Sequence, residues 1–381
     1  MAASLEVFLS LLPDPRADRG RRHLFTDIMA IAVLATICGA EGPHAMEEFG
    51  LAKESWLRTF LKLPHGIPSH DTFGKILATL DPDAFEEVFR AWTASVAGGI
   101  RGVLAVDGKS LRRSFDHASE RSPIHMVSAW STENGAVFGQ VATDEKSNEI
   151  TAIPRLLKTL QLEGLIVTID AIGCQKAIAA QITEQKGDYL LQVKENQPGV
   201  LEDVKEAFAW AERREFKDVQ HSKTTTTNKG HGRVEVREVS VMWAPQLLRD
   251  QGAWPSVACF VQVRSTRILG DKTSTECRYF ISSVPPKRAT DVADACRAHW
   301  GVENGLHWCL DMTFGEDQSR VRMGYAAENL SRLRRLALNL LKQETSRKAS
   351  IKSKRFRAGL DEAYLLRVIS GACSARSRDD R

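Results

Sequence analysis

The sequence lacks the features of secreted, disulfide-linked and membrane-spanning proteins. Its seven cysteines are odd in number and scattered without a framework spacing, which indicates free thiols in a reducing compartment. The longest apolar stretch, residues 29–40, is shorter than the about 20 residues that a membrane-spanning helix needs, so we interpret it as a buried helix. The first residues show neither the basic segment nor the cleavage site of a secretory signal. We therefore expect a cytoplasmic protein that does not bind membranes.

Three familiar ligand-binding or repeat patterns are incomplete or absent. Residues 102–110 nearly form a phosphate-binding Gly-x4-Gly-Lys-Ser loop, but five residues separate the two glycines and the run is typical of a strand. Cys296, His299, His307 and Cys309 do not have the spacing of a zinc site, because Cys309 points away from His307 on a helix. No repeat period is visible. These observations disfavour a nucleotide-binding protein, a zinc protein and a repeat protein.

Charge is distributed unevenly along the chain. Between residues 320 and 357 there are twelve Lys and Arg against Glu328 and Glu344, a local balance of +10. Since the whole chain carries +4, the remainder is mildly acidic. A basic sector on such a body predicts a polyanionic partner such as DNA, with a solvated surface as the alternative.

Two short apolar runs each lead into an aspartate, Asp107 in one and Asp170 in the other. Both runs are typical of strands buried in a sheet, where a carboxylate is costly unless a positive charge compensates it. Since ligands gather at the carboxyl ends of parallel strands, we expect the two side chains to lie together and to bind a divalent cation. Capping aspartates and a glycoside-hydrolysing pair are the alternatives, and the basic sector argues against a sugar substrate.

Periodicity divides the chain into a helical part and a sheet-containing part. Residues 1–97 are predicted to be helical, and the glycines at 98–99 mark a boundary. The order strand, hairpin, helix, strand, helix, strand that follows predicts a mixed α/β sheet whose first and fourth strands are parallel neighbours. Residues 198–284 interrupt this order as a β-rich insertion, which contains a polar segment at 223–230 that we expect to be mobile.

A helix is predicted from Thr290 to Asp311. On it His299, Glu303, His307 and Asp311 recur every four residues and therefore share one face. We interpret this polar stripe as facing a site and not bulk water. Its glutamate would supply a third carboxylate beside the two strand aspartates, as in a two-metal centre.

Four segments of the chain resemble one family of proteins. They are AVDGKSLR (residues 105–112), TIDAIGCQ (168–175), HGRVEVR (231–237) and HWGVENGLHWCLD (299–311). Together with residues 19–23 and 68–72, they resemble the DDE transposases of bacterial insertion sequences, in the branch of the H-repeat-associated proteins. The similarity covers nearly the whole chain, with the segments in the family's order.

The resemblance implies the fold class and the domains. It implies a ribonuclease-H-like α/β catalytic domain over residues 98–345, with a mixed sheet and the β-rich insertion at 198–284. A helical, DNA-binding, transposase-associated domain at residues 1–97 would precede it. A basic tail at 346–381 would follow it.

The resemblance also implies the chemistry. Asp107, Asp170 and Glu303 would be the catalytic triad and would hold Mg²⁺ or Mn²⁺. Water would nick double-stranded DNA at the transposon's terminal repeats, and the freed 3′-hydroxyl would attack target DNA. No covalent protein–DNA intermediate is implied, and a homodimer on paired ends is expected.

The sequence departs from related transposases around the glutamate. Where relatives carry Tyr, Arg and Lys at set distances, this chain has Cys296, His299 and Leu310, so the phosphate-binding roles of that signature cannot be transferred. Three other acidic residues are alternative third carboxylates: Asp311, Glu316 and Asp317.

Basic residues and one histidine, at strand ends, in the matched motifs or in the basic sector, are candidate contacts to DNA phosphates. They are Lys109, Arg112, Lys194, Arg233, Arg237, His299, Arg320 and Arg322. Each is also consistent with a solvated surface residue. Two further functions fit the same sequence: a domesticated or inactive relative that binds DNA without cutting it, and a structure-selective DNA nuclease of the same fold.

Overall fold

A computed structural model describes residues 3–18, 21–115, 122–143, 149–230, 233–270 and 272–370. The chain forms two compact units. We call the first the helical unit, which comprises residues 1–100, 108–146 and 303–381. We call the second the sheet unit, which comprises residues 101–107 and 147–302. The domain boundaries expected at 97 and 345 stay predictions.

Nine strands lie in the described part of the chain. They are β1 Val103–Ser110, β2 His125–Ser131, β3 Ala136–Ala142, β4 Ile166–Ile169, β5 Asp188–Val193, β6 Gln220–Gly230, β7 Arg233–Trp243, β8 Cys259–Leu269 and β9 Lys272–Ser282. Their hydrogen-bonded order is β3-β2-β1-β4-β5-β9-β8-β7-β6, and β1 passes from the sheet unit into the helical unit. Strands β1, β4 and β5 are parallel to one another. The pairs β2–β3, β5–β9, β9–β8, β8–β7 and β7–β6 are antiparallel. This mixed sheet confirms the predicted α/β class.

Strands β1 and β4 form because their apolar residues are buried on both faces of the sheet. Leu104, Val106, Val167 and Ile169 are each at most 1% exposed, and parallel strands of this kind have near-continuous apolar runs. The predicted parallel pairing is confirmed. Strand β1, however, continues past the first aspartate to Ser110, so the expectation that it ends there was wrong.

The β-rich insertion contains the helix α9 (Pro198–Arg213) and the long strands β6 to β9. The polar segment 223–230, which we expected to be mobile, lies within β6 and pairs with β7 from Gln220↔Trp243 to Gly230↔Arg233. That expectation was wrong because polarity was weighted above β-propensity. The segment contains four consecutive threonines, whose branched side chains favour strands.

Helices complete the two units. In the sheet unit they are α7 Glu149–Leu157, α8 Lys176–Glu184, α9 and α10 Ala289–His299. In the helical unit they are α1 Ala3–Ser10, α2 Phe25–Cys38, α3 Pro43–Ala52, α4 Glu54–Leu57, α5 His70–Thr79, α6 Pro82–Ala97, α11 Trp308–Met312, α12 Ala326–Gln343, α13 Ile351–Leu360 and α14 Glu362–Ser370. Helix α2 is buried along nearly its whole length, which confirms that the apolar stretch beginning at residue 29 is a core helix as far as Cys38.

Helix α12 lies at the centre of the helical unit, where it packs against α2, α5, α6 and β3. Two buried amide side chains fix its position, because each finds a backbone partner. Asn329 donates to the carbonyls of Leu77 and Leu80, and Asn339 both accepts from and donates to the backbone of Val137. Unpaired amides in such a core would cost about 1–3 kcal/mol each.

Among the described residues, no single helix combines the length and the apolar character needed to cross a membrane. One bent pair, α2 with α3 at 95°, meets the criterion by length and composition.

The predicted helix 290–311 is interrupted. Helix α10 ends at His299, a π-helical turn occupies Glu303–His307, and α11 follows. Arg288, and not Thr290, is the N-cap residue of α10. One continuous polar stripe at four-residue spacing is therefore a wrong description, since a π turn changes the angular step between residues.

Candidate active site

The two strand aspartates occupy equivalent positions on neighbouring strands of the sheet unit. Strands β1 and β4 pair in parallel register through Val106↔Ile169, and Asp107 and Asp170 are the next residues. Adjacent strands are about 4.8 Å apart, and residues in register project to the same face. The structure thus brings these two predicted residues together. Both side chains are half-buried.

Asp170 carries the clearest electrostatic signature of the pair. Burial and the negative charges of Glu149 and Asp107 raise the pKa of the Asp170 carboxyl from its ordinary value of 3.8 to about 6. Hydrogen bonds from the backbone N–H groups of Gly173 and Ile172 oppose the rise. Because the raising effects prevail, this site has an excess of negative charge that a cation would relieve.

Glu149 is an acidic residue that the sequence analysis missed. It is the first residue of α7, and one turn later Ile153 lies against the loop after Asp170. A Cβ on Gly173 would be 3.0 Å from Ile153 Cδ1, so the glycine permits this close packing. Residues four apart share a helix face, which puts Glu149 on the side of α7 that faces the loop. The sequence feature that could have identified it is an acidic residue at the start of the amphipathic helix before β4.

His299 lies over the same face of the sheet. Its Nδ1 is 3.0 Å from the hydroxyl oxygen of Thr168, which precedes Asp170 by two residues and so projects to the same side. Burial and the positive charge of Arg278 lower the pKa of His299, although Asp107 opposes this. The imidazole is therefore neutral at pH 7. In this form it offers hydrogen bonds but no positive charge.

Glu303 belongs to the helical unit, where it is the exposed first residue of the π-helical turn. The turn packs tightly: a Cβ on Gly305 would be 3.0 Å from Trp130 Cζ2. Such turns are rare and often occur at functional sites. Within the described part of the chain, no three His, Cys, Asp or Glu side chains are grouped to hold a metal ion. The complete triad therefore stays a prediction.

Lys109 is held by carboxylates of its own unit. Its Nζ lies 2.7 Å from Asp311 Oδ1, 2.7 Å from Asp317 Oδ1 and 3.6 Å from Glu316 Oε2. Burial disfavours the charge, but these three acids outweigh it and raise the pKa of Lys109. The side chain is only 9% exposed. It therefore neutralises protein carboxylates, and we do not retain it as a DNA contact.

Glu316 is fully buried and receives further positive charge from helix α12. It accepts from Arg335 Nη1 at 3.0 Å and from the Ser331 hydroxyl at 2.9 Å. Burial alone would raise the pKa of Glu316, but Arg335, Arg334 and Lys109 lower it to about 2. This carboxylate is therefore structural.

The remaining predicted DNA contacts differ in exposure. Lys194 is exposed directly after β5, and the Arg112 side chain is 79% exposed with Nε 3.2 Å from Asp317. Arg320 is exposed. Arg322 donates to the carbonyl of Arg113 and stacks on Phe115, with 4.7 Å from Cζ to the ring centroid.

The two predicted contacts in the insertion lie on β7. Arg233 pairs with Glu235 at 3.0 Å. Arg237 lies over the ring of Trp300, with 5.7 Å from Cζ to the centroid.

The basic sector at 320–357 is not a uniformly charged surface. Five of its cations are buried: Arg332, Arg334, Arg335, Lys354 and Arg355. Arg332, for example, is 1% exposed and pairs with Glu86 at 3.2 Å and Glu328 at 2.9 Å. These five residues hold buried acids and carbonyls, so they do not contribute to the exposed charge from which the sequence predicts a polyanionic partner. Arg347, Lys348 and Lys352 are exposed, and we call them the C-terminal basic segment.

Two family models match the chain. Residues 6–93 match the domain described as DDE_Tnp_1-associated, and residues 98–340 match the transposase DDE domain. The chain therefore belongs to the DDE transposase family, which confirms the resemblance seen in the four motifs.

Individual relatives agree with this assignment. "Putative transposase YncI" of Escherichia coli O157:H7 is 38% identical over 383 residues, covering 99% of this chain and 97% of the relative. "H repeat-associated putative transposase YhhI" of Escherichia coli (strain K12) is 38% identical over 370 residues, covering 96% and 97%. A solved piggyBac transposase synaptic complex with hairpin DNA has a TM-score of 0.41 and 11% identity, covering 97% of this chain and 78% of that chain. At that score it adds nothing to the assignment.

Proposed function

We propose that this DDE transposase cleaves DNA at the ends of an insertion sequence and joins the freed 3′-hydroxyl to target DNA. The observation that carries the proposal is the in-register pair Asp107 and Asp170 in a chain of this family. Glu303 is the proposed third catalytic carboxylate.

Mg²⁺ or Mn²⁺ is the proposed cofactor, and the donor set fits a hard cation because it consists of carboxylate oxygens. Burial and the negative charges of Glu149 and Asp107 raise the pKa of Asp170, which supports this, since a cation would offset both effects. Asp107, Asp170 and Glu303 would hold the metal. When bound, divalent ions at such sites polarise the attacking oxygen and stabilise the leaving oxygen.

The protein's own residues orient the reacting groups. The N–H groups of Gly173 and Ile172 hold the Asp170 carboxylate in place, and Thr168 fixes the His299 ring over the sheet. Double-stranded DNA, as terminal repeats and as target, is the proposed partner. A homodimer on paired ends is the proposed assembly. Exposed Lys194, Arg112 and Arg320 remain proposed phosphate contacts.

Asp107→Asn tests the catalytic role. With the element's own end as substrate and Mg²⁺ present, we expect the variant to bind the end as the wild type does but to leave it uncut, because one ligand charge is lost. Asp218→Asn, which changes a carboxylate with a 58% exposed side chain, is the matched control and should cleave normally. Equal cleavage by Asp107→Asn would overturn the proposal.

The same assay separates the alternatives. If the wild-type protein binds the ends in Mg²⁺ without cutting them, it is an inactive relative. One similar protein is named as inactive: "Inactive transposase YbfQ" of Escherichia coli (strain K12) is 33% identical over 70 residues, covering 18% of this chain and 83% of the relative. Cleavage without joined products on a naked target would indicate a structure-selective nuclease.

A further inference from the structure

Two arginines and a tryptophan form a cluster in the sheet unit. Arg278 of β9 pairs with Val263 of β8, which pairs with Val239 of β7. Because alternate residues of a strand share a face, Arg237 projects to the same side as Val239, and hence to the same side as Arg278. The strand register therefore presents both guanidinium groups on one face of the insertion.

Helix α10 covers the apolar part of that face. Its Val292 and Cys296 are buried together with Val239 and Val263. The helix ends at His299, so the next residue, the partly buried Trp300, lies at the edge of this core.

The tryptophan ring holds both cations. Arg278 Cζ is 3.8 Å from the Trp300 ring centroid, and Arg237 Cζ is 5.7 Å from it. Among the described residues, Arg278 has one acidic partner, Glu276, at 2.7 Å, whose own side chain is 62% exposed. Arg237 Nε is buried and has no hydrogen-bond partner in the described structure. Two like charges on one ring with a single solvated counter-ion leave the cluster cationic.

The cluster borders the acidic pair through His299. Asp107 and Arg278 both act electrostatically on this imidazole, with opposite sign. The histidine also bonds Thr168, next to the aspartates. A cationic group therefore lies beside the acidic pair within the sheet unit.

We propose that Arg278 and Arg237, held on the face of Trp300, bind a backbone phosphate of the DNA strand whose neighbouring phosphodiester lies at Asp107 and Asp170. The inference deepens the proposed function and rests on it. A guanidinium suits this task because its planar fork donates two parallel hydrogen bonds to phosphate oxygens. The ring orients the fork without neutralising it.

The test measures binding without cleavage. In an Asp107→Asn background with chelator present, the affinity of full-length protein for a duplex carrying its own element end is measured at several salt concentrations. The double variant Arg237→Gln/Arg278→Gln should bind at least tenfold more weakly. The magnitude of its slope of log K against log salt should fall by about 1, since one neutralised phosphate contributes about 0.9.

Arg297→Gln is the matched control. Arg297 is also on α10, and its side chain is 54% exposed with Asp294 3.9 Å away; affinity and slope should not change. Arg278→Lys keeps the charge but loses the guanidinium fork. It should therefore retain most of the salt slope while binding DNA more weakly than the parent protein. This single variant tests the inference in place of the double variant if the double variant does not fold.

A folded double variant, or Arg278→Lys, that binds as tightly as the parent would overturn the inference and leave the cluster a purely structural stack. The result is independent of catalysis. Failure of the proposed function would appear instead as cleavage by Asp107→Asn.

Discussion

Replacing Asp170 by Asn should stabilise the metal-free protein while removing its activity. In the folded state, burial and the carboxylates of Glu149 and Asp107 raise the pKa of Asp170 from 3.8 to about 6. The ionised side chain is therefore less stable in the folded than in the unfolded chain. Asparagine has nearly the same shape and can still accept a hydrogen bond from Gly173 or Ile172, but it carries no charge.

The magnitude follows from the pKa change. About two pKa units at about 1.36 kcal/mol each give roughly 3 kcal/mol as an upper limit. Because the group is partly exposed, solvent screening reduces this to about 1–2 kcal/mol. The sign is fixed by linkage: an acid with a raised pKa in the folded state loses stability as pH rises from about 4 to about 6. The advantage of Asp170→Asn should therefore be absent below about pH 4 and complete above about pH 6.

Thermal unfolding in chelator at pH 4 and pH 8 measures the effect. For a unit of this size, 1 kcal/mol corresponds to about 2–4 °C in melting temperature, so the variant should melt a few degrees higher at pH 8 only. Adding Mg²⁺ should then raise the melting temperature of the wild type and not that of the variant. A variant that melts lower than the wild type at pH 8 without metal would refute the electrostatic reasoning.

Three further perturbations test other parts of the structure. Lys109→Met should cost about 3 kcal/mol of unfolding free energy, because it removes the buried cation that Asp311, Glu316 and Asp317 share. Arg112→Ala should be nearly neutral by denaturant unfolding. Gly305→Leu should reduce end cleavage, since its side chain meets Trp130 and displaces the turn bearing the proposed glutamate; unchanged cleavage would contradict that role. Changing the C-terminal basic segment to Ala should lower the salt slope of DNA binding by about 2–3 if it contacts phosphates, and an unchanged slope would show that it does not.

Local patterns predicted much of the fold. The sequence predicted a hairpin between the first strand and the next helix, and β2 and β3 form that hairpin. The buried helix α2 and the parallel strands β1 and β4 follow from apolar runs of different length. Each of these elements is specified by neighbours in sequence, so sequence reasoning was sufficient.

The wrong predictions concern segments whose conformation depends on partners that are distant in sequence. Segment 223–230 is polar, but a full-length partner strand makes it β6. The π turn at 303–307 accompanies the packing of Gly305 on Trp130, a residue far away in sequence. Neither partner is visible in a local window. The buried arginines of α12 were misjudged for the same reason, because charge counts do not show which acids lie opposite.

The acidic pair was predictable, whereas its surroundings were not. Two apolar runs that each lead into an aspartate imply neighbouring carboxylates once the strands are parallel and in register. Glu149 and Arg278 reach the site from α7 and β9, elements whose approach depends on tertiary packing. Their residue types alone would not distinguish them from other surface charges.

Charge balance also distinguishes among the acids that the sequence left open as metal ligands. Asp311, Glu316 and Asp317 each have a cation in place, since Lys109 approaches all three and Arg335 adds to one. A metal ion there would have to displace a buried ammonium from well-formed ion pairs. At Asp170, by contrast, the neighbouring charges that act on the carboxyl are negative. A divalent cation therefore gains most at the strand aspartates, where it relieves repulsion instead of competing with an existing partner.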